Sequence, residues 1–455
     1  MEKKKSFAIG YSLVIHSIIM YILCSFVVGL SANFVVPQAA GNLGCGTDIL
    51  YTINTIASLV GVVAAFLLAQ WCLKKGVRIV TIVSLVISAI GVLLAGYATN
   101  MAVYVIGVIL MFAFSQGYGF VITNTLMAAW FPRKKAEILG ITTTGTYLAN
   151  IIFTPIFSGM LSKGLKLRSP MLVLAIIMVV MAILSIFWIK ERPEQLGLFP
   201  DNKEEGIEQL RAMQEAAKNY KSKWTVKKLL KTPIVWFFVI CFGFMLLQSS
   251  GMPAQLVPLM FSRGIANAST VMMYSAAFGF VGSIVTGFID KKIGTRMTTI
   301  IMCIVFAISL VVLALVQNPT VTICMICLNT FFSGGCFNMC PSLAISIFGA
   351  REYNAVNRVI HPLTQVIKSF SFVAISLGGK FGTGSSGVMW MFLIAVVICF
   401  IFVLPIVPKN LKEDKTPDVA AAGADGQAEI TAEAPAEVKE VAADAAEEIK
   451  EDIQE

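Results

Sequence analysis

Apolar residues along this chain gather in runs of about 20, each long enough to cross a hydrocarbon layer of about 30 Å as a helix. Bounded by charge, Pro or Gly, the runs predict spans near 9–33, 49–71, 78–98, 102–129, 138–161 and 170–189. A second set is predicted near 233–252, 268–289, 297–316, 319–346, 353–377 and 387–407. The pattern therefore reads as an all-α membrane protein of twelve transmembrane helices. It divides into an amino-terminal six-helix half (1–189), a polar connector (190–232), a carboxy-terminal six-helix half (233–408) and an acidic Ala/Glu-rich tail (409–455), expected to be disordered.

The two halves repeat at a constant offset of 218 residues, which places Lys74 on Lys292, Gly76 on Gly294, Arg78 on Arg296 and Gly117 on Gly335. A parallel six-helix duplication is a transporter architecture, with substrate near the bilayer midplane between two pseudo-symmetric bundles.

Composition agrees with the pattern: 57% of residues are hydrophobic, 13% are charged and the mean hydropathy is +0.81. Soluble domains average about 45–50% apolar and about 25% charged, so an ordinary soluble enzyme is excluded. Of the 26 acids, 14 lie from Lys409 onward, which leaves residues 1–408 with 30 basic and 12 acidic groups. With the amino terminus inside, inner segments before the tail hold 23 Lys/Arg and outer loops 5, Lys163, Lys166 and Arg168 among the latter. The positive-inside rule accounts for these bases without a nucleic-acid partner and predicts both termini in the cytoplasm. The expected location is the inner (plasma) membrane, with lipid as the surrounding partner and the protein as a monomer.

Of ten cysteines only Cys45 falls clearly in an outer loop, so no disulfide framework follows. Gly382 to Gly387 spells GxGxxG but follows no strand, and Cys324 to Cys327 spells CxxC inside an apolar helix. No enzyme motif, metal site or cofactor site is predicted.

Gly287-Phe288-Ile289-Asp290-Lys291-Lys292-Ile293-Gly294-Thr295-Arg296 and its first-half counterpart, with Lys74, Gly76 and Arg78 but no acid, resemble the gating-loop motif of the major facilitator superfamily. Gln116-Gly117-Tyr118-Gly119, Trp130-Phe131-Pro132-Arg133-Lys134-Lys135 and Arg192-Pro193-Glu194-Gln195-Leu196-Gly197 are similar to the oxalate/formate antiporter and monocarboxylate transporter branches. That resemblance implies the major facilitator fold and, in the oxalate/formate branch, carboxylate-binding bases in helices 11 and 8. Lys368 matches the first; no base in helix 8 matches the second.

The chemistry concentrates in span 11, where Arg358, His361, Gln365 and Lys368 fall within roughly 80° on a helical wheel. A Lys or Arg at the bilayer centre costs about 2.5–3.5 kcal/mol, so this stripe should face a wet cavity. No Asp or Glu lies inside a span away from its ends, which makes an anionic substrate the natural counter-ion. By the repeat offset, Thr143, Tyr147 and Asn150 of helix 5 correspond to this face and are expected across the cavity, bonding the substrate's uncharged end. His16 and His361 are the expected proton-coupling residues, because the ordinary titration range of a histidine suits that role.

The expected function is secondary transport of a small mono- or dicarboxylate by alternating access, as an anion antiporter or a proton symporter. Two alternatives stand beside it: an exporter of amphipathic anions such as bile acids or drugs, and a solute sensor that binds without net transport. The connector, with a mixed-charge run from Glu204 to Lys218 and then Lys221, Lys223, Lys227, Lys228 and Lys231, is expected to place a surface helix against anionic lipid.

Overall fold

The computed structural model describes residues 7–202, 208, 222–349, 352–381 and 384–406. The chain divides into two units, Met1–Pro417 and Asp418–Glu455. The second unit lies outside the described residues, as do the tail from Lys409 and nearly all of the run from Glu204 to Lys218.

Eleven helices among the described residues are long and apolar enough to span a bilayer. They are α1 (Ala8–Leu30), α2 (Thr47–Lys75), α3 (Val77–Tyr97), α4 (Met101–Trp130), α6 (Arg168–Trp188), α7 (Pro233–Ser262), α8 (Ala268–Ile293), α9 (Thr295–Leu315), α10 (Pro319–Phe348), α11 (Ala355–Phe381) and α12 (Ser385–Val403). The remaining one, α5, is broken at Thr144 into Lys135–Thr143 and Gly145–Ser162. Helices dominate because, without water, each backbone donor and acceptor needs a partner within its own segment.

The repeat is visible in the backbone. Shifted by 218, α3 lands on α9 and α4 on α10 at both ends. Asn100 caps α4 by accepting from Val103 N at 2.9 Å, and Asn318 caps α10 by accepting from Thr320 N at 2.9 Å. Gly76 (φ 87°, ψ 164°) and Gly294 (φ 83°, ψ 151°) make the same reversal between α2 and α3 and between α8 and α9. Positive φ at this turn strains any residue with a Cβ, so glycine is required in both copies.

Two connections differ from the sequence reading. The loop expected after residue 33 contains a further helix, Ala32–Leu43, ended by left-handed Gly44. Span 7 does not stop at 252: it continues through a tight turn at Met252–Gln255 and then Leu256–Ser262. Polar Gln255 and proline in Met252–Gln255 obscured an apolar run that resumes at Leu256.

Glycine brings helices together within each half. The Gly282 position of α8 lies directly against the Phe331 backbone of α10, and Gly91 of α3 against the backbone of Gly107 and Met111 in α4. Such close approach gains dispersion contacts where lipid offers no hydrophobic drive.

Candidate functional site: a basic stripe between the two halves

Loops carrying Lys74, Arg78, Arg133, Lys292 and Arg296 define one face of the bundle, called here the basic face. Contacts between the halves gather toward the other end. There Asp48 of α2 pairs with Lys380 of α11 at 2.8 Å, and Ser376 Oγ donates to Asp48 O at 3.2 Å. Gln255 Nε2 donates to Tyr51 Oη at 2.8 Å. Asn33 Nδ2 donates to Pro253 O at 2.8 Å, while Asn33 Oδ1 accepts from Val257 N at 3.2 Å. Closer to the middle, Ser58 Oγ donates to Ser369 Oγ at 2.9 Å, and Phe372 packs on Tyr51 and Phe112. Toward the basic face, Ile15 of α1, Asn124 of α4, Ile141 of α5, Asn338 and Ile345 of α10 and His361 of α11 are exposed. Among the described residues the halves are therefore closed at the far end and open toward the basic face.

Lys368 is the central residue of α11 and lies next to the first closing contact, at Ser369. Gly243 of α7 lacks a side chain where Ile367 packs, so the apolar side of α11, with Val356 and Ile360 buried, seats against α7. This seating leaves Arg358 and His361 exposed and Gln365 and Lys368 half-buried. Lys368 Nζ lies 5.7 Å from the centroid of the Phe337 ring in α10. It is also near enough to His361 and to the Cys24 thiol of α1 for electrostatic interaction. Among the described residues no carboxylate pairs with Lys368 or Arg358.

The helix 5 residues make bonds and contacts of their own, none of them to the stripe among the described residues. Thr143 Oγ donates to Gly140 O at 2.8 Å, and Asn150, buried, accepts from Thr154 Oγ at 3.0 Å. The Tyr147 ring packs against Gly279 of α8. The pseudo-symmetric arrangement sets α5 against α8 and α2 against α11, so positions equivalent by repeat offset do not face one another.

His16 is separate as well. It is buried between α1 and α6, with Nε2 2.9 Å from Ser185 Oγ and its ring edge-on to Trp188 at 5.4 Å. Ser185 donates its single proton to Met181 O at 2.6 Å, so His16 Nε2 is the donor in this pair.

At the basic face the gating-loop residues act as braces. Asp290 accepts from Ser342 Oγ at 2.7 Å, and Arg296 Nη2 donates to Leu404 O at 2.6 Å. The acid absent from the first copy is supplied from beyond α6: the Glu191 carboxylate fills the space beside Gly76 and accepts from Arg78 N at 3.3 Å. Arg78 Nε donates to Ile189 O at 3.0 Å. Lys74 and Lys292 extend from the last turns of α2 and α8, and Gly287 has open space around it.

Sequence reasoning missed Phe337, Cys24 and the closing contacts of Asn33, Asp48, Ser58 and Lys380. The two partners of each contact belong to different helices, and no spacing along the chain pairs them.

Comparison with curated proteins returns no match. Among solved structures the chain is similar to a bacterial homolog of the human lysosomal transporter Spinster. In its inward-facing, occupied conformation that structure matches with TM-score 0.62 and 11% identity, over 88% of this chain and 96% of the other. In its inward-facing, unoccupied conformation it matches with TM-score 0.59 and 12% identity, over the same shares. The family model for the Major Facilitator Superfamily matches residues 17–371. With helices, duplication and family model in agreement, this chain belongs to the Major Facilitator Superfamily, a family of transporters rather than enzymes, whose fold carries solutes by alternating access.

Proposed function

We propose that the protein transports a small organic anion, a mono- or dicarboxylate, between the two halves, with Lys368 as the principal binding group. The observation that carries this reading is a lysine at the centre of α11, near the closed end of the opening, with no carboxylate partner among the described residues. Its desolvation cost of about 2.5–3.5 kcal/mol is offset by a carboxylate at about 4 Å, worth about 4 kcal/mol at an effective dielectric near 20. His361 and Arg358, one face and two to three turns toward the basic side, form the approach for the anion. Absence of a described carboxylate inside the spans away from their ends favours anion exchange over proton symport, because an intramembrane acid is the usual proton relay. The basic face is assigned to the cytoplasm by the positive-inside rule, with both termini there and the protein monomeric in the cell membrane.

The deciding experiment is uptake into proteoliposomes of labelled formate, lactate, oxalate, succinate and a bile acid. The expected result is uptake of one carboxylate, dependent on anion inside the vesicle, lost in Lys368→Gln while that variant keeps its Tm. Carboxylate uptake unaffected by Lys368→Gln overturns the assignment.

A second reading, an amphipathic anion, draws support from Phe337 beside Lys368 and from exposed Ile15, Ile141 and Ile345 toward the basic face. Competition between a short and a bulky carboxylate separates the two.

A further inference from the structure

The last part of the connector forms a structure that transport between the halves does not use. Thr225 caps a short helix, Val226–Lys231, by accepting from Lys228 N at 3.3 Å, and this helix leads through Thr232 into α7. Only Leu229 of the helix is buried. The segment is held on the carboxy-terminal half by three contacts: Ser222 Oγ donates to the Glu352 carboxylate, the Trp224 ring meets Phe348 edge-on at 5.3 Å, and Trp236 Nε1 donates to Leu230 O at 2.8 Å.

What this anchoring presents outward combines two chemistries. Lys223, Lys227, Lys228 and Lys231 are exposed, and residues 222–236 contain no acid. Alongside them Val226 is 61% exposed, Leu230 40% and Trp236 42%. Four exposed lysines that form no ion pair among the described residues match a layer of phosphate groups at an anionic bilayer surface. Exposed Val, Leu and an indole at the start of a span match the boundary between headgroups and acyl chains, where Trp is enriched and interfacial helices rest their apolar side. A soluble acidic protein would satisfy the lysines but leaves the apolar side chains without the membrane that α7 enters two residues later.

We infer that Thr225–Trp236, with Lys223, is a docking site for anionic phospholipid headgroups, and that it fastens the basic end of the carboxy-terminal half to the bilayer surface. Lys228 has a structural share in the site, since its Nζ lies 4.9 Å above the Trp224 ring. Lys223, Lys227 and Lys231 are the groups left to meet phosphate.

The test is lipid retention by the purified full-length protein, measured by native mass spectrometry after addition of phosphatidylglycerol or phosphatidylcholine. Wild type is expected to retain phosphatidylglycerol preferentially, with retention falling as salt rises. The Lys223→Gln, Lys227→Gln, Lys231→Gln triple variant is expected to lose at least tenfold in that retention, the corresponding Lys→Arg triple variant to keep it, and Lys163→Gln, Lys166→Gln at the opposite face to leave it unchanged. Equal retention of the two lipids by wild type, or undiminished phosphatidylglycerol on the folded Gln variant, overturns the inference. Displacement of the lipid by inorganic phosphate at matched ionic strength also overturns it, because the site would then be one for soluble phosphate.

Discussion

At the scale of single residues, the same residue type takes opposite roles according to what its helix packs against. Lys368 and His361 lie on the side of α11 that Gly243 and Ile367 turn away from α7, whereas His16 is sealed between α1 and α6. His361→Gln and Arg358→Gln are therefore expected to raise the KM for the anion while leaving some transport, unlike Lys368→Gln; uptake measured against substrate concentration checks this. His16→Ala is expected to act on stability instead. Losing the bond to Ser185 and the packing on Trp188 should cost about 1–3 kcal/mol, read as a lower Tm in detergent with an unaltered pH profile of uptake. The mid-span place of Lys368 was legible in the sequence, because a base bounded by apolar residues on both sides has no inexpensive alternative to a wet position. The bond of Asn150 with Thr154 and the packing of Tyr147 on Gly279 were not legible, since a polar residue in a helix bundle does not record which neighbour will satisfy it.

Helix packing depends on a few positions where a side chain has no room. Gly282 lies against the Phe331 backbone, which cannot move without shifting α10, whereas Gly140 has open space around it. Gly282→Ala is expected to destabilise the protein by about 1–3 kcal/mol and Gly140→Ala to be nearly neutral, which thermal unfolding of the two variants will show. The helices were legible from apolar run length, and the matching of α3 to α9 and α4 to α10 could be anticipated from the 218-residue offset. The break of α5 at Thr144 and the continuation of α7 past Gln255 were not, because local polarity marks a weak point in a helix without saying whether its neighbours sustain it.

For the whole molecule, the question is what holds the two halves closed at the face opposite the basic loops. Asn33 contributes two hydrogen bonds to the backbone of the other half, at Pro253 and Val257, and is buried. The Asp48–Lys380 pair is exposed and screened. Asn33→Ala is therefore expected to shift the population toward opening at that face by about tenfold, and Asp48→Asn by much less. The measurement is the labelling rate of a cysteine placed at Ser58, by an impermeant maleimide, in a Cys45→Ser, Cys324→Ser background. Faster labelling in Asp48→Asn than in Asn33→Ala would reverse this ranking.

The sequence by itself determined that the chain crosses a membrane many times, that its halves are duplicates and that one basic stripe sits in mid-membrane. Each follows from a rule acting within one segment: hydrocarbon thickness sets run length, a constant offset reveals duplication, and the cost of a buried charge singles out Lys368. Tertiary structure alone decided which helices of the two halves meet, where Glu191 replaces the acid missing near Gly76, and that the Phe337 ring lies beside Lys368. These depend on the crossing of helices distant in the chain, because a helix records which of its faces is polar but not which helix will stand opposite it.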